Sequence, residues 1–355
     1  MLLLILAVST LLLRIALFEG PVKPATALPL TSIIDTHVHI AGLGYGGSGA
    51  FVSEEMEDSY KFDIYLDAFG VSRDELEKHG DQIIVQRLAE TIRASTKVSG
   101  AIVLAMDGVI NQDGELDKEK TQVYLPNDYV ALETAKYPEL YFGASINPYR
   151  KDALQRLEKV KRQGAKLIKW IPNIQHIDPS DPLLVPFYKK MVELDLPLLC
   201  HAGQERSFDS AIDEYGDPTR LELPLLLGVT VIAAHIATTG ETEDVSNYER
   251  LLPMFSKHPN LYSEISSLTQ LNKLGYLNMA ITERELEGRL LYASDYPLVN
   301  MILVSPYYFP LNLTIEQMNE ISSINNPWDR DVALKQALGV PAEMFANSAK
   351  LFNLP

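Results

Sequence analysis

The sequence has one cysteine, Cys200, so it can form neither an intrachain disulfide nor a cysteine-based zinc cage. Cysteine usage therefore does not mark a redox compartment. Positive charge is also scarce: 31 Lys and Arg stand against 47 Asp and Glu, a formal net charge of −16. A chain of that sign is repelled by phosphate backbones and anionic headgroups, which argues against nucleic acid and against peripheral lipid binding. No Gly-x-Gly-x-x-Gly follows an apolar run, and the glycine-rich stretch 42–49 lacks a Gly-Lys-Ser/Thr ending. That stretch reads as a flexible loop, not a phosphate cradle. There is no low-complexity tract and no repeat of solenoid length.

What is present is the composition of a packed globular enzyme, with 46% hydrophobic and 22% charged residues. At 355 residues a rule of about 150 per domain would give two domains, but one closed α/β barrel commonly occupies about 250 or more. Residues 1–18 read MLLLILAVSTLLLRIALF, and Ala25-Thr26-Ala27 follows. An apolar run before an Ala-x-Ala triplet resembles a secretory signal. The run lacks a positive leader, Arg14 interrupts it, and its longest uncharged stretch, 2–13, falls short of the ~20 residues that span a bilayer. A membrane anchor through residues 1–18, or an over-long start or buried helix, are the other readings. The expectation is a signal or tether over 1–30, an exported or membrane-anchored location, and one barrel domain over 31–355.

From residue 33 onward, short apolar runs alternate with amphipathic stretches such as 82–95, 151–163 and 186–194. The runs are 33–40, 99–106, 140–147, 165–171, 196–201, 229–234, 260–265 and 289–294. Nearly continuous apolar runs are the mark of parallel strands buried on both faces. Eight such units predict a (β/α)₈ TIM barrel, with an open doubly wound sheet as the alternative. Three long connections, 41–81, 107–126 and 296–327, leave the carboxyl ends of strands, the face where barrel enzymes place their chemistry. Tyr307, Tyr308 and Phe309 in the last are expected to pack that loop down.

Polar residues gather at the same face. Asp35-Thr36-His37-Val38-His39 closes run one, and a side-chain period of two turns His37 and His39 to one side. His201 ends run five, His235 ends run six, and Asp295 follows run eight. Four of the seven histidines and one aspartate thus sit at strand tips that converge in a barrel, the pattern of a metal site. His79, His176 and His258 lie in loop or helix-end contexts and read as solvated surface. Cys200 precedes His201 and should turn outward into the core.

These motifs resemble the amidohydrolase superfamily. Asp35-Thr36-His37-Val38-His39 is similar to its strand-one motif. Gly164 through Pro172, Pro186 through Gly203, Ala293-Ser294-Asp295-Tyr296-Pro297 and the tail from Asn326-Pro327 to Phe352 resemble its amidohydrolase-related branch, in the same order. The resemblance implies a divalent metal, usually zinc or manganese, one or two per chain, held by His37, His39, His201 and Asp295. It implies hydrolysis of an amide, ester or lactone or, in one subgroup, non-oxidative decarboxylation. A metal lowers the pKa of a bound water towards ~7. Asp295 can both ligate and take a proton. His235 either binds a second metal or polarises the substrate carbonyl. Arg150 and Arg206, near strand ends three and five, could grip a substrate carboxylate or form surface ion pairs. Lys169, at the end of run four, is expected to face inward, with Ile168 and Trp170 outward and Lys166 outward or at the strand's start. Its alternatives are a carbamate bridging two metals, a cation facing the substrate, or an ion-pairing lysine. Glu264 near the mouth has no assigned role. The expected partner is a small-molecule substrate; a homo-oligomer is compatible with the barrel.

Overall fold

The computed structural model describes residues 2–17, 26–28, 32–208 and 210–355. All eight apolar runs contain a strand: β1 Ile34–His39, β2 Gly100–Leu104, β3 Leu140–Gly143, β4 Ile168–Trp170, β5 Leu198–Cys200, β6 Val231–Ala233, β7 Leu261–Glu264 and β8 Leu290–Leu291. The runs outlast the strands because burial continues past the ladder. Ala144, Ser145, Ile146 and Asn147, for example, are fully buried beyond β3.

The strands pair in parallel as β1-β2-β3 and as β4-β5-β6-β7-β8. Single parallel bridges join the two sets at both seams, Ala144 to Ile168 and Val38 to Tyr296. Backbone bonds support them, Lys166 N–H to Phe142 O (2.8 Å) at one seam and His39 N–H to Tyr296 O (2.9 Å) at the other. The eight strands therefore close a TIM barrel, as expected.

Alternation then separates two cores. Ile34, Ile102, Leu104, Leu167, Leu199, Ile232 and Leu291 fill the interior, closed at one end by Ala349 of helix Ala342–Leu351 and by Phe352. Val103, Phe142, Ile168, Trp170, Cys200 and Val231 face outward against the helices. Helix Gln82–Arg93 shows why those helices form: Ile84, Val85, Leu88, Ala89 and Ile92 make one buried stripe at 3.6-residue spacing. Helix Arg73–His79 starts in a capping box of Ser72 and Glu75.

Asp35 secures the β8–β1 seam. Its buried carboxylate accepts from His37 N–H (3.1 Å), Ser294 N–H (3.0 Å), Ser294 Oγ–H (2.5 Å) and the Trp328 indole (2.8 Å). The first aspartate of the strand-one motif thus orients β1 rather than reaching the mouth.

The three long connections behave differently. Residues 41–81 and 107–126 meet in a two-strand antiparallel ribbon, Phe51–Val52 with Val123–Tyr124. The glycine-rich stretch folds onto the buried Asp81, which accepts from Gly44 N–H (2.9 Å) and from the Ser48 hydroxyl. In the third connection Phe309 packs with Leu313 and Met318 and Tyr308 lies against them, whereas Tyr307 is exposed, so two of the three aromatics hold the loop down. His258 departs from the sequence reading. It is buried, its Nε2 3.1 Å from Glu222, because the residue closing helix Asn247–Lys257 turns back onto its neighbour.

At the amino terminus, Leu2–Leu17 is a 16-residue helix with Leu3, Leu4 and Leu6 exposed. Among the described residues no helix is long and apolar enough to cross a membrane. Of the Ala25-Thr26-Ala27 triplet, Ala25 lies outside the described residues. Thr26 bonds through Oγ1 to Val340 O (2.6 Å) and accepts from Gln336 Nε2 (2.6 Å), so contacts with the barrel body begin before residue 31.

Candidate metal centre

The carboxyl tips converge as the parity argument requires. His37 and His39 lie on one side of β1, their Nε2 atoms 2.9 Å apart, although the ladder to β2 shifts register between Asp35 and Val38. Asp295 Oδ1 lies 3.5 Å from both nitrogens. His235 stacks on His37 with ring centroids 5.2 Å apart, and its Nε2 is 3.9 Å from Asp295 Oδ2. The imidazole of His201 is 5.5 Å from that of His235, centroid to centroid.

Glu264, which sequence reasoning left without a role, organises this cluster. Its Oε1 faces His37 Nδ1 at 3.0 Å and accepts from His235 N–H (3.0 Å) and Ser266 Oγ–H (2.9 Å). A carboxylate at Nδ1 keeps the proton on that nitrogen and leaves the Nε2 lone pair facing the mouth. Ser266 Oγ, having given its proton to Glu264, accepts from His235 Nδ1 at 2.7 Å. The same hydrogen-bond logic leaves His235 Nε2 unprotonated.

Burial favours neutral imidazoles throughout. It drives His37 and His235 well below the usual histidine range, His39 to about 4, and lowers His201 despite the opposing pull of Glu205. Burial would raise Asp295, but His37, His39 and the Ser267 hydroxyl (2.5 Å) together hold it below the ordinary carboxylate value.

The donor set suits a divalent ion. His37, His235 and Asp295 offer ligand atoms within 4.8 Å of one another. His201 Nε2 is buried with no hydrogen-bond partner, and the nearest carboxylate, Glu205, is 3.7 Å away. An orphaned neutral imidazole nitrogen next to a carboxylate and two further lone pairs is what a metal site requires before loading. The close cluster includes His235, for which the sequence left a second metal or the substrate carbonyl as alternatives, whereas His201 stands at its edge.

Lys169 is inward and fully buried, with Nζ 3.1 Å from His37 Nε2, while Ile168 and Trp170 pack outward. Lys166 is half-buried near the strand start, over the Tyr141 ring. Cys200 lies in the outer core, its thiol pushed up to about 12 by burial.

The cluster forms one end of a cavity of about 230 Å³. Met56, Phe62, Tyr65, Phe69 and Val123, from the first two long connections, give it an apolar wall. Arg206 lines it too, with Nη2 on Gln204 Oε1 at 2.7 Å. Arg150 does not. It is buried in a two-point ion pair with Asp107 (2.7 and 2.5 Å), so its charge is already answered.

Sequence reasoning missed the connection after β7. Ser267, Gln270, Asn272 and Lys273 from that segment all line the cavity. The available signal was a cluster of polar residues at the carboxyl end of the seventh run.

A family model described as amidohydrolase matches residues 34–304, well over half of the chain. A search of curated proteins gave no match. Among solved structures, a TIM-barrel protein of Bordetella bronchiseptica is 15% identical, with a TM-score of 0.53 over 90% of this chain and 100% of that one. A Pseudomonas putida protein described provisionally as a 2-pyrone-4,6-dicarboxylic acid hydrolase is 14% identical, with a TM-score of 0.51 over 91% and 97%. A 2,6-dihydroxybenzoate decarboxylase from Rhizobium is 16% identical, with a TM-score of 0.51 over 91% and 99%. At such identities the solved structures establish the fold alone, and it is the family model that assigns the chain. This protein belongs to the amidohydrolase family.

Proposed function

We propose that the protein is a metal-dependent hydrolase that cleaves an amide, ester or lactone of a small molecule, with His37, His39, His201 and Asp295 holding one divalent ion, zinc or manganese. The observation that carries this reading is the close approach of Asp295 Oδ1 to the Nε2 atoms of His37 and His39, 3.5 Å from each, with the unpartnered, buried His201 Nε2 at the edge of the same cluster. Such an ion supplies an activated water and polarises a carbonyl when bound. The chain's own residues do the rest. Asp295, steadied by Ser267, accepts a proton and returns it to the leaving group. His235, whose Nε2 is left unprotonated, is placed to accept a proton from a water or hydroxyl at the reaction centre. The apolar wall excludes water around the bound substrate.

Elemental analysis of protein purified without chelator should find about one zinc or manganese per chain, or two if Lys169 is a bridging carbamate. Removing it should abolish activity on lactones, esters and dipeptides, and adding it back should restore activity. Protein that carries no stoichiometric transition metal and takes none up defeats the reading.

Non-oxidative decarboxylation is the second reading. It is favoured by the presence of Arg206 at the cavity, since a decarboxylase must grip a carboxylate. An activity screen that includes aromatic carboxylic acids separates the two.

For the amino-terminal segment we propose export, with the apolar helix Leu2–Leu17 removed or retained as a tether. Sequencing the mature protein from its native host tests this. A soluble cytoplasmic product that retains Met1 would reject it.

A further inference from the structure

Four lysines and arginines of the described chain are buried to more than nine-tenths: Arg150, Lys169, Lys273 and Lys335. Three have partners. Arg150 is paired with Asp107, Lys169 reaches His37, and Lys335 reaches Asp331 (2.7 Å) and Ala293 O (2.8 Å). Lys273, only 6% exposed, has neither an ion pair within 4.0 Å nor a side-chain hydrogen bond among the described residues. It lines the same cavity as the histidine cluster.

Its position is fixed from both sides. Lys273 closes the turn Leu271–Lys273 after β7, and its own N–H bonds to Gln270 O at 2.9 Å. The turn is pinned to the β8 connection by Leu271 N–H to Leu303 O (2.9 Å) and by the bridge between Gln270 and Val304. On the cavity side, Gln270 Nε2 donates to Ser267 Oγ, which donates to Asp295. The ammonium is therefore held on a tethered turn joined to the reaction centre, where Asp295, Glu264 and Glu205 act on it only from beyond ion-pair distance.

The stem of Lys273 is buried while its ammonium opens onto the cavity, so an anion seated there would meet an enclosed, unpaired cation. We propose that Lys273 is the anchor for a carboxylate on the substrate, a group separate from the bond that is broken, and that the substrate is a compact apolar acid. The apolar wall of Phe62, Phe69, Met56 and Val123 accommodates the body of such a molecule, and the cavity volume of about 230 Å³ limits it to a small one. Lys273 is in this sense a specificity-determining residue. Arg206, exposed and engaged with Gln204, lacks the burial that makes an ion pair selective. The inference rests on the cavity being the reaction site.

The test is calorimetric titration of the as-purified protein with benzoate, phenylacetate and hexanoate, and with benzamide as the neutral counterpart of benzoate. Lys273→Met should weaken binding of the acids by about tenfold or more and leave benzamide unchanged, while Lys273→Arg should stay within a few-fold of the wild type. Arg206→Met should have a smaller effect than Lys273→Met. Near-ultraviolet circular dichroism and metal content, measured on the same samples, establish that the variants are folded and loaded. Undiminished acid binding by folded Lys273→Met overturns the proposal, as does wild-type protein that binds none of the three acids or binds benzoate no better than benzamide. Protein that takes up no transition metal, yet whose acid binding still depends on Lys273, would defeat the metal reading and leave this inference standing.

Discussion

His235→Asn should lower turnover by a factor of ~10²–10⁴ while metal content stays at the wild-type level. The expectation follows from how the imidazole is held. β6 ends in three consecutive left-handed residues, His235, Ile236 and Ala237, with φ of 56°, 46° and 52°. A run of left-handed non-glycine residues costs on the order of 1–3 kcal/mol each and persists only where the surroundings enforce it. Here Glu264 takes the His235 N–H at 3.0 Å and Ser263 Oγ takes the Ile236 N–H at 3.1 Å. Strain of that kind aims a side chain. The ring's Nδ1 is occupied by Ser266, so the only free basic atom is Nε2, which faces the cavity and Asp295. Asparagine is the informative replacement because it tolerates the left-handed conformation and keeps a polar group near the Nδ1 position. What it removes is the basic nitrogen. Measuring kcat and bound metal together decides the role. Loss of both at once would make His235 a ligand, consistent with its place in the tight cluster with His37 and Asp295.

The eight strands were legible because parallel strands buried on both faces leave unbroken apolar runs. The inward direction of Lys169 and the outward direction of Trp170 and Cys200 followed from a period of two. What parity cannot supply is a contact between distant segments. Glu264 is 227 positions from His37 and becomes meaningful only when barrel closure brings the tip of β7, one strand removed from β1, to the shared mouth. Arg150 fails for the same reason. It follows strand three closely enough to point into the cavity, but Asp107, 43 positions earlier, captures it in a buried pair. Loops carry no periodicity at all. The segment after β7 contributes four cavity residues, yet its serines, glutamine, asparagine and lysine have no spacing that separates a lining from a solvated turn. His258 was misread because a helix end suggests exposure, whereas this one closes onto a neighbouring helix.

Lys169→Ala should depress activity far more than Lys166→Ala, although the two lysines lie three positions apart in one segment. The difference is set by the barrel wall. In β4, Ile168 pairs with Leu198, Lys169 with Leu199 and Trp170 with Cys200, so Lys169 shares the inward face with Leu199. Lys169 is completely buried, and burial lowers its pKa while Asp295 and Glu264 oppose that shift. Nζ lies 3.1 Å from His37 Nε2, the atom freed by Glu264 to face the mouth, so removing the side chain opens a void beside the histidine cluster. Lys166, half-buried over Tyr141 at the start of the strand, contacts no residue of the cluster, and its loss should be nearly silent. Equal activity in two folded mutants would show that Lys169 is dispensable despite its position. If activity of Lys169→Ala returns on adding a small carboxylate such as acetate, the side chain works as a bridging carbamate, and metal analysis should then give two ions in the wild type and fewer in the mutant. If only a small amine restores it, the ammonium itself is the working form, a cation held against His37 and the substrate.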